Sequence, residues 1–600
     1  MKRKSACVLA VFLGAMVLAA SAAEVWAGAP RGKKAPPAPP APPVEDAATV
    51  ALRSQLLEAA APAQLTDDVI DLFRRYTIAR VRGQHVPDRV PDALWTWVTT
   101  HPILCDAVVL GLHADSDTDL RILEMLGALR EQFPQQVEAY PHLALAFAVV
   151  HGSAGKHGIR ERRLRYVEHE QREIPAMADA FKDYVDNAAR MKMPLDKTPW
   201  PLLLFVADND LPLEERLWVR MRYGAKLVQV TGQVYYSLEY DYDKLRGEPR
   251  IGDRPKSMPN LLEYGGVCAE RAYFSSRVLK TLGIPSMYDV GEGARGGHAW
   301  VAWVGQRVKN MDLLYTARFD YDRYYTGSVY DPRLADFVLD RDVQLEVAAM
   351  IHSYKGYLEA VAGCGVYTLF EGRKRHYVTG LLEGAVKRNP YCAVPWRLVA
   401  ADVADGYIPA DKGEQMYLSM LRQFGEYPDL TLEILTRIFV PRMVAAKEGD
   451  GTQVAKNLGI LGKAFDLYAR SKRPDLAVKL RCLQGEYLEA AGRADEALKV
   501  YVTASEQYLT EHYGFVDLFD RAANIMQEQG RTEMMLTYMG RVVHRVPPYR
   551  DSFNREFELV DPAFKHVMER YAQALEAAGK AAEARAQRDR LASYDKKKKD

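Results

Sequence analysis

The sequence predicts a mainly α-helical chain with one α+β core, set between a helical N-terminal region and a C-terminal helical, repeat-like (solenoid) domain. Three observations predict it. Apolar residues recur at intervals of three and four from about Leu52 to Lys244, and again from about Arg341 to the end. Between those stretches, from about Pro259 to Asp340, glycine and aromatic residues become denser and β-branched alternation appears. Near the C-terminus two segments repeat the pattern helix, glycine, helix. The expected divisions are an export signal over 1–27, a Pro-rich linker over 28–46, a helical region over 47–245, the α+β core over 246–345 and the helical domain over 346–600.

The signal is read from Lys2, Arg3 and Lys4, followed by an apolar run from Val8 to Ala20. That run is shorter than the roughly 20 residues a bilayer span needs, so cleavage is expected after a small-residue pattern such as Ala20-Ser21-Ala22 or Val25-Trp26-Ala27. The prolines of 35–43 fix φ and lack an amide donor, which makes a stiff extended spacer. The folded body is therefore expected outside the cytoplasm, periplasmic or extracellular, free or associated with the cell envelope. No second stretch approaches spanning length.

The 600 residues are 48% apolar and 26% charged, with 80 Lys+Arg against 79 Asp+Glu. This balance gives no basic footprint for nucleic acid, so none is expected as a partner. Removing the signal leaves five cysteines, Cys105, Cys268, Cys364, Cys392 and Cys482, an odd number in an exported chain. No Cys-x-x-Cys pair and no metal-ligand cluster is visible, so neither a metal nor a cofactor is expected.

In the N-terminal region Val69, Leu72, Phe73 and Tyr76, or Leu123, Leu126 and Leu129, mark helices that Pro87, Pro91, Pro102 and Pro134 interrupt. Two chemical motifs fail there. His169-Glu170 begins a zinc-protease pattern but has Glu173 where the second histidine belongs, and Gly155-Lys156 lacks the rest of a phosphate loop.

At the other end, residues 485–501 turn at Gly492 and residues 571–584 turn at Gly579, with alanines on the packing side. Both segments resemble tetratricopeptide-type helical hairpins. A solenoid needs about three units, so degenerate ones are expected between 390 and 560. A protein partner is the expected ligand of such hairpins.

The chemistry-bearing residues lie in the core. Gly265 and Gly266 allow a tight turn, apolar positions Ala272, Leu279 and Leu282 then follow a helical period, and Gly283 with Pro285 ends it. Cys268 falls in the first turn, where the helix dipole favours thiolate. The double glycine implies close approach by a substrate or by another stretch of backbone. His298 opens an alternating strand after Gly296-Gly297 and suits a general base and acid. For the orienting acid, a turn near Gly305-Gln306 returns Arg307 to Asp312 beside the first strand. A three-residue loop sets Asp312 across from His298, whereas a two-residue loop puts it on the wrong face. Asp320 is the reserve candidate.

Tyr-Gly-Gly-Val-Cys268, Leu-Gly-Ile-Pro285, Gly-His298-Ala-Trp300-Val and then Asp312 resemble, over roughly 259–325, the transglutaminase-like superfamily, which shares papain-type cysteine chemistry. The resemblance implies an α+β core in which the Cys helix packs on an antiparallel sheet, with Cys268 as nucleophile, His298 as base and acid, and Asp312 as its orienter. It implies acyl transfer from a protein or peptide carboxamide through a Cys268 thioester, resolved by water (hydrolysis or deamidation) or by an amine (cross-linking). Ala269 departs from the aromatic residue that cross-linking members place after the cysteine, and Gln233 is the one upstream side chain suggested for the oxyanion. The alternative expectation is a non-catalytic interaction module that keeps this fold, with the helical repeats as scaffold.

Overall fold

The computed structural model describes residues 45–85, 90–106, 117–153, 174–225, 232–293, 296–307, 310–320, 325–334, 336–438, 451–470, 473–548 and 560–596. The signal-like segment, nearly all of the Pro-rich linker, Gly155-Lys156 and His169-Glu170 lie outside them. The described residues are mainly helical, with one small antiparallel sheet of five strands. None of the described helices is long and apolar enough to cross a membrane. They divide into two compact units. The first takes the described residues up to Gly291 with His298–Arg318 and Thr326–Val399; the second takes Glu292–Gly297, Phe319–Tyr325 and the described residues from Ala400 on.

In the first unit the helical period of the sequence becomes helices Ala47–Ala60, Asp67–His85, Asp92–Thr100 and Asp117–Gln132. Asp46 caps the first of these, its Oδ1 accepting the Thr49 amide at 2.7 Å. Two apolar helices, Pro141–Gly152 and Trp200–Ala207, are buried almost all round and pack together at the centre. Such helices carry no polar face because no side of them meets water. Pro141 and Pro201 both sit in a first turn, where a missing amide costs nothing.

The strands are β1 Ser286–Gly293, β2 Gly296–Arg307, β3 Asn310–Thr316, β4 Ser328–Asp331 and β5 Asp336–Leu339, in the order β3-β2-β1-β4-β5. The Val304 amide donates to the Pro285 carbonyl at 2.9 Å. Carried along the hairpin, that pairing sets Asp289 across from Trp300 and Gly291 across from His298. Because side chains alternate, His298, Trp300, Ala302 and Val304 share one face of β2, and Ala299, Val301, Trp303 and Gly305 share the other.

The second unit contains three helical hairpins in succession: Pro474–Ala490 with Ala494–Gln507, His512–Glu528 with Thr532–Arg545, and Pro562–Ala577 with Ala581–Lys596. Each turns on a left-handed glycine, Gly492, Gly530 and Gly579, with φ near +70°. The middle hairpin lies inside the span where a degenerate unit was expected. A Cβ on Gly485 would meet the Tyr501 ring at 2.1 Å, so the small residue is what lets these two helices approach.

Candidate active site around Cys268 and His298

Cys268 is the first residue of the helix Cys268–Thr281. The chain enters it through Gly265, whose φ of +78° suits glycine. A Cβ there would lie 2.3 Å from the Glu239 carbonyl oxygen. The double glycine thus answers to another stretch of backbone. Gly266 donates to Glu239 and accepts from Asp241, making a short parallel bridge at Tyr240. Glu270 reaches back to the Val267 amide at 3.1 Å and pairs with Lys244. The helix stops at Gly283 (φ +77°), where the Ile284 amide closes on the Leu279 carbonyl at 2.9 Å.

A buried polar network holds the far half of this helix. Arg277 meets Asp210 at 2.6 Å, and Lys280 donates to the Asp208 carbonyl at 2.6 Å. Asn209 donates at 3.0 Å both to Tyr184 Oη and to Thr281 Oγ1. With Phe274, Val278 and Leu279 wholly buried, each contributing roughly 1.5–3 kcal/mol, the helix is fixed against its neighbours.

His298 is buried near the start of β2. Its Nε2 lies 2.8 Å from the Ala317 carbonyl oxygen. A carbonyl only accepts, so Nε2 carries the proton and Nδ1 keeps its lone pair. The Trp300 ring lies 5.5 Å from the imidazole, tilted by 38°. The backbone amide of the next residue, Ala299, favours the Cys268 thiolate, as do the amides of Ala269 and Cys268. Tyr235 holds the Ala299 peptide from the other end, its hydroxyl donating to the Ala299 carbonyl at 2.9 Å. Gln233, suggested for the oxyanion, is exposed at the start of the same turn; Tyr235 is the residue of that segment that reaches β2.

The electrostatics differ from what the helix start alone predicts. Burial pushes the Cys268 thiol up, the Ala299 amide offsets part of this, and the Glu270 carboxylate adds to the rise. Glu270 occupies the positive end of the dipole that the sulfur would otherwise use. Burial also pushes His298 down to about 4, against the Ala317 carbonyl, which favours the protonated ring. At rest the two side chains are therefore a thiol and a neutral imidazole, and neither is among the groups that shift the other.

Asp312 does not lie beside His298. β2 continues through Gly305 and Gln306 to Arg307, and pairs Gly305 with Asp312 and Arg307 with Asn310. Asp312 is thus displaced seven residues along the strand from His298, roughly 23 Å, and an odd displacement puts it on the opposite face. Its Oδ1 accepts the Leu313 amide at 2.8 Å. Gly305 is a seat and not a turn: a Cβ there would meet the Trp303 ring at 2.0 Å. The reserve, Asp320, follows β3 and groups with the second unit. Of the tyrosines just after β3, Tyr321 and Tyr324 lie outside the described residues. Tyr325 donates to Glu511 at 3.1 Å and lies under Arg473, a packing role within the second unit.

The site residues that the sequence reading missed act through backbone or at a distance: the Ala299 amide, the Ala317 carbonyl, and Tyr235. Only the adjacency of Ala299 to His298 left a trace in the linear pattern. In comparisons with known proteins, no family model matches this chain and no curated protein matches it.

Proposed function

We propose that the chain is a cysteine-dependent acyl-transfer enzyme of transglutaminase-like type, with Cys268 as nucleophile and His298 as base and acid. The observation that supports it most is His298, its tautomer set by the Ala317 carbonyl, one residue before the Ala299 amide that favours the Cys268 thiolate. That tautomer leaves Nδ1 as the acceptor a thiol needs. In the proposed step Cys268 loses its proton to Nδ1 as sulfur bonds to the carboxamide carbon. The amides at the helix start receive the oxyanion. The C–N bond then breaks, the amine leaves with the proton from Nδ1, and the thioester passes to water or a second amine. The substrate class is a protein or peptide amide, met by an exported chain.

The test is to incubate the full chain with carboxamide peptides and a primary amine and to look by mass spectrometry for a hydroxylamine-sensitive acyl group on Cys268. Its appearance in wild type and loss in Cys268→Ala is the expected result. A folded protein that never acquires the adduct would refute the reading.

A second reading keeps the fold as an interaction module, with a protein partner on the C-terminal hairpins. The position of Asp312 and the raised Cys268 thiol favour it. The same adduct experiment separates the two.

A further inference from the structure

We propose that Asp340 and Arg318 are positioning residues for His298, acting through the Ala317 carbonyl in the place where a triad would carry its acid. The inference rests on the reading of Cys268 and His298 as an acyl-transfer pair.

The argument begins at Ala317, which has a φ of +68°. A residue with a Cβ is disfavoured in the left-handed region, so the surroundings must impose it. The orientation of the Ala317 carbonyl is that of the peptide plane joining Ala317 to Arg318, and Arg318 is held on several sides. Its Nη2 lies 3.0 Å from Asp340 Oδ2. Its guanidinium lies over the Tyr315 ring at 4.3 Å and over the Trp300 ring at 5.6 Å. Trp300 is the same ring that flanks His298. Asp340 is itself fixed: wholly buried, it opens the helix Asp340–His352, and its amide donates to the Gly327 carbonyl at 3.0 Å.

Asp289 completes the cluster. It faces Trp300 across β1 and β2, and glycine at 327 leaves room for both, since a Cβ there would lie 2.1 Å from Asp289 Oδ1 and 2.5 Å from Trp300 Cζ2. Arg318 pairs with Asp340, and the buried Asp289 feels the charge of both groups. Asp289 is the one pushed well up, first by burial and then by the Asp340 charge. Asp340 is the carboxyl in contact with Arg318. The chain of constraint then runs from Asp340 to Arg318, to the Ala317 peptide, and to the Nε2–H of His298.

The test reads the histidine tautomer by nitrogen and carbon NMR of ring-labelled histidine in the full chain, with His298→Asn to assign the signal. Wild type is expected to hold the Nε2–H form alone. Asp340→Asn and Arg318→Gln are expected to shift the tautomer ratio at least fivefold toward Nδ1–H. Ala317→Gly, which frees the same peptide plane at the loss of a single methyl group, is expected to act in the same direction. A purely structural role would lower the melting temperature and leave the ratio untouched, so folded variants with the wild-type ratio overturn the proposal. Failure of wild type to form a Cys268 thioester would count against the acyl-transfer reading instead, because the tautomer is read without any substrate.

Discussion

The Nε2 of His298 donates to the Ala317 carbonyl oxygen at 2.8 Å. A dipole thus stands where a carboxylate was expected, and this changes what the site is at rest. A carboxylate would favour imidazolium and, with it, a thiolate; a carbonyl fixes the tautomer while contributing much less to the charged form.

The first consequence concerns Cys268. A thiol raised by burial is less ionised at neutral pH than a free one, and less reactive toward an alkylating agent. Iodoacetamide is expected to modify Cys268 more slowly in the folded chain than in an unfolded control below about pH 8.5, the ordinary thiol value. The gap should close as pH rises. Faster modification at pH 6 would mean that the helix dipole outweighs burial and that the pair rests as an ion pair.

Stability should carry the mark of His298. Its folded value of about 4 lies below the ordinary 6.5 of the unfolded chain, so between those values the unfolded state binds more protons. The contribution is fully present above about pH 6.5 and is lost progressively as pH falls toward 4. It amounts to about 3 kcal/mol in full. Chemical unfolding of wild type and His298→Gln between pH 4 and 7 checks this: their difference in unfolding free energy should shrink toward low pH. A pH-independent difference would show that the imidazole is not held neutral.

Asp312 is expected to be dispensable for the chemistry. Asp312→Asn should change the rate of Cys268 modification, and of any acyl transfer, less than twofold, because the residue lies across from Gly305 on the other face of β2. A hundredfold loss with the fold retained would require a different register in solution.

These outcomes also mark how far the linear sequence reached. The helix that carries Cys268, its end at Gly283, and His298 on a strand were legible because local rules fix them: left-handed glycine, a proline stop, period-two alternation. The third member of the site was not. Register depends on where a hairpin turns, and Gly305 has two unrelated uses, turning a chain or seating an indole; only tertiary packing distinguishes them. Ala317 and Ala299 were invisible for another reason, since backbone groups carry no residue signature. The sign of the Cys268 shift was lost because burial is a property of the whole fold.

The double glycine offers the sharpest test of the local geometry. Gly265 combines a φ of +78° with a Cβ position 2.3 Å from the Glu239 carbonyl oxygen. Gly265→Ala therefore meets two costs at once, roughly 1–3 kcal/mol for a backbone conformation (φ +78°, ψ −165°) that is essentially glycine-only, and a clash with backbone that cannot rotate away. A total of at least about 2 kcal/mol is expected from denaturant unfolding of the first unit. Because the Gly266 bridge to Glu239 and Asp241 sets the entry to the cysteine helix, the variant should also alter the Cys268 modification rate. Gly247→Ala also has a positive φ, +90°, but nothing within 4 Å of its Cβ, and so reports positive-φ strain without a clash. If Gly265→Ala loses no more stability than Gly247→Ala, neither the glycine-only conformation of Gly265 nor its contact with Glu239 carries a cost.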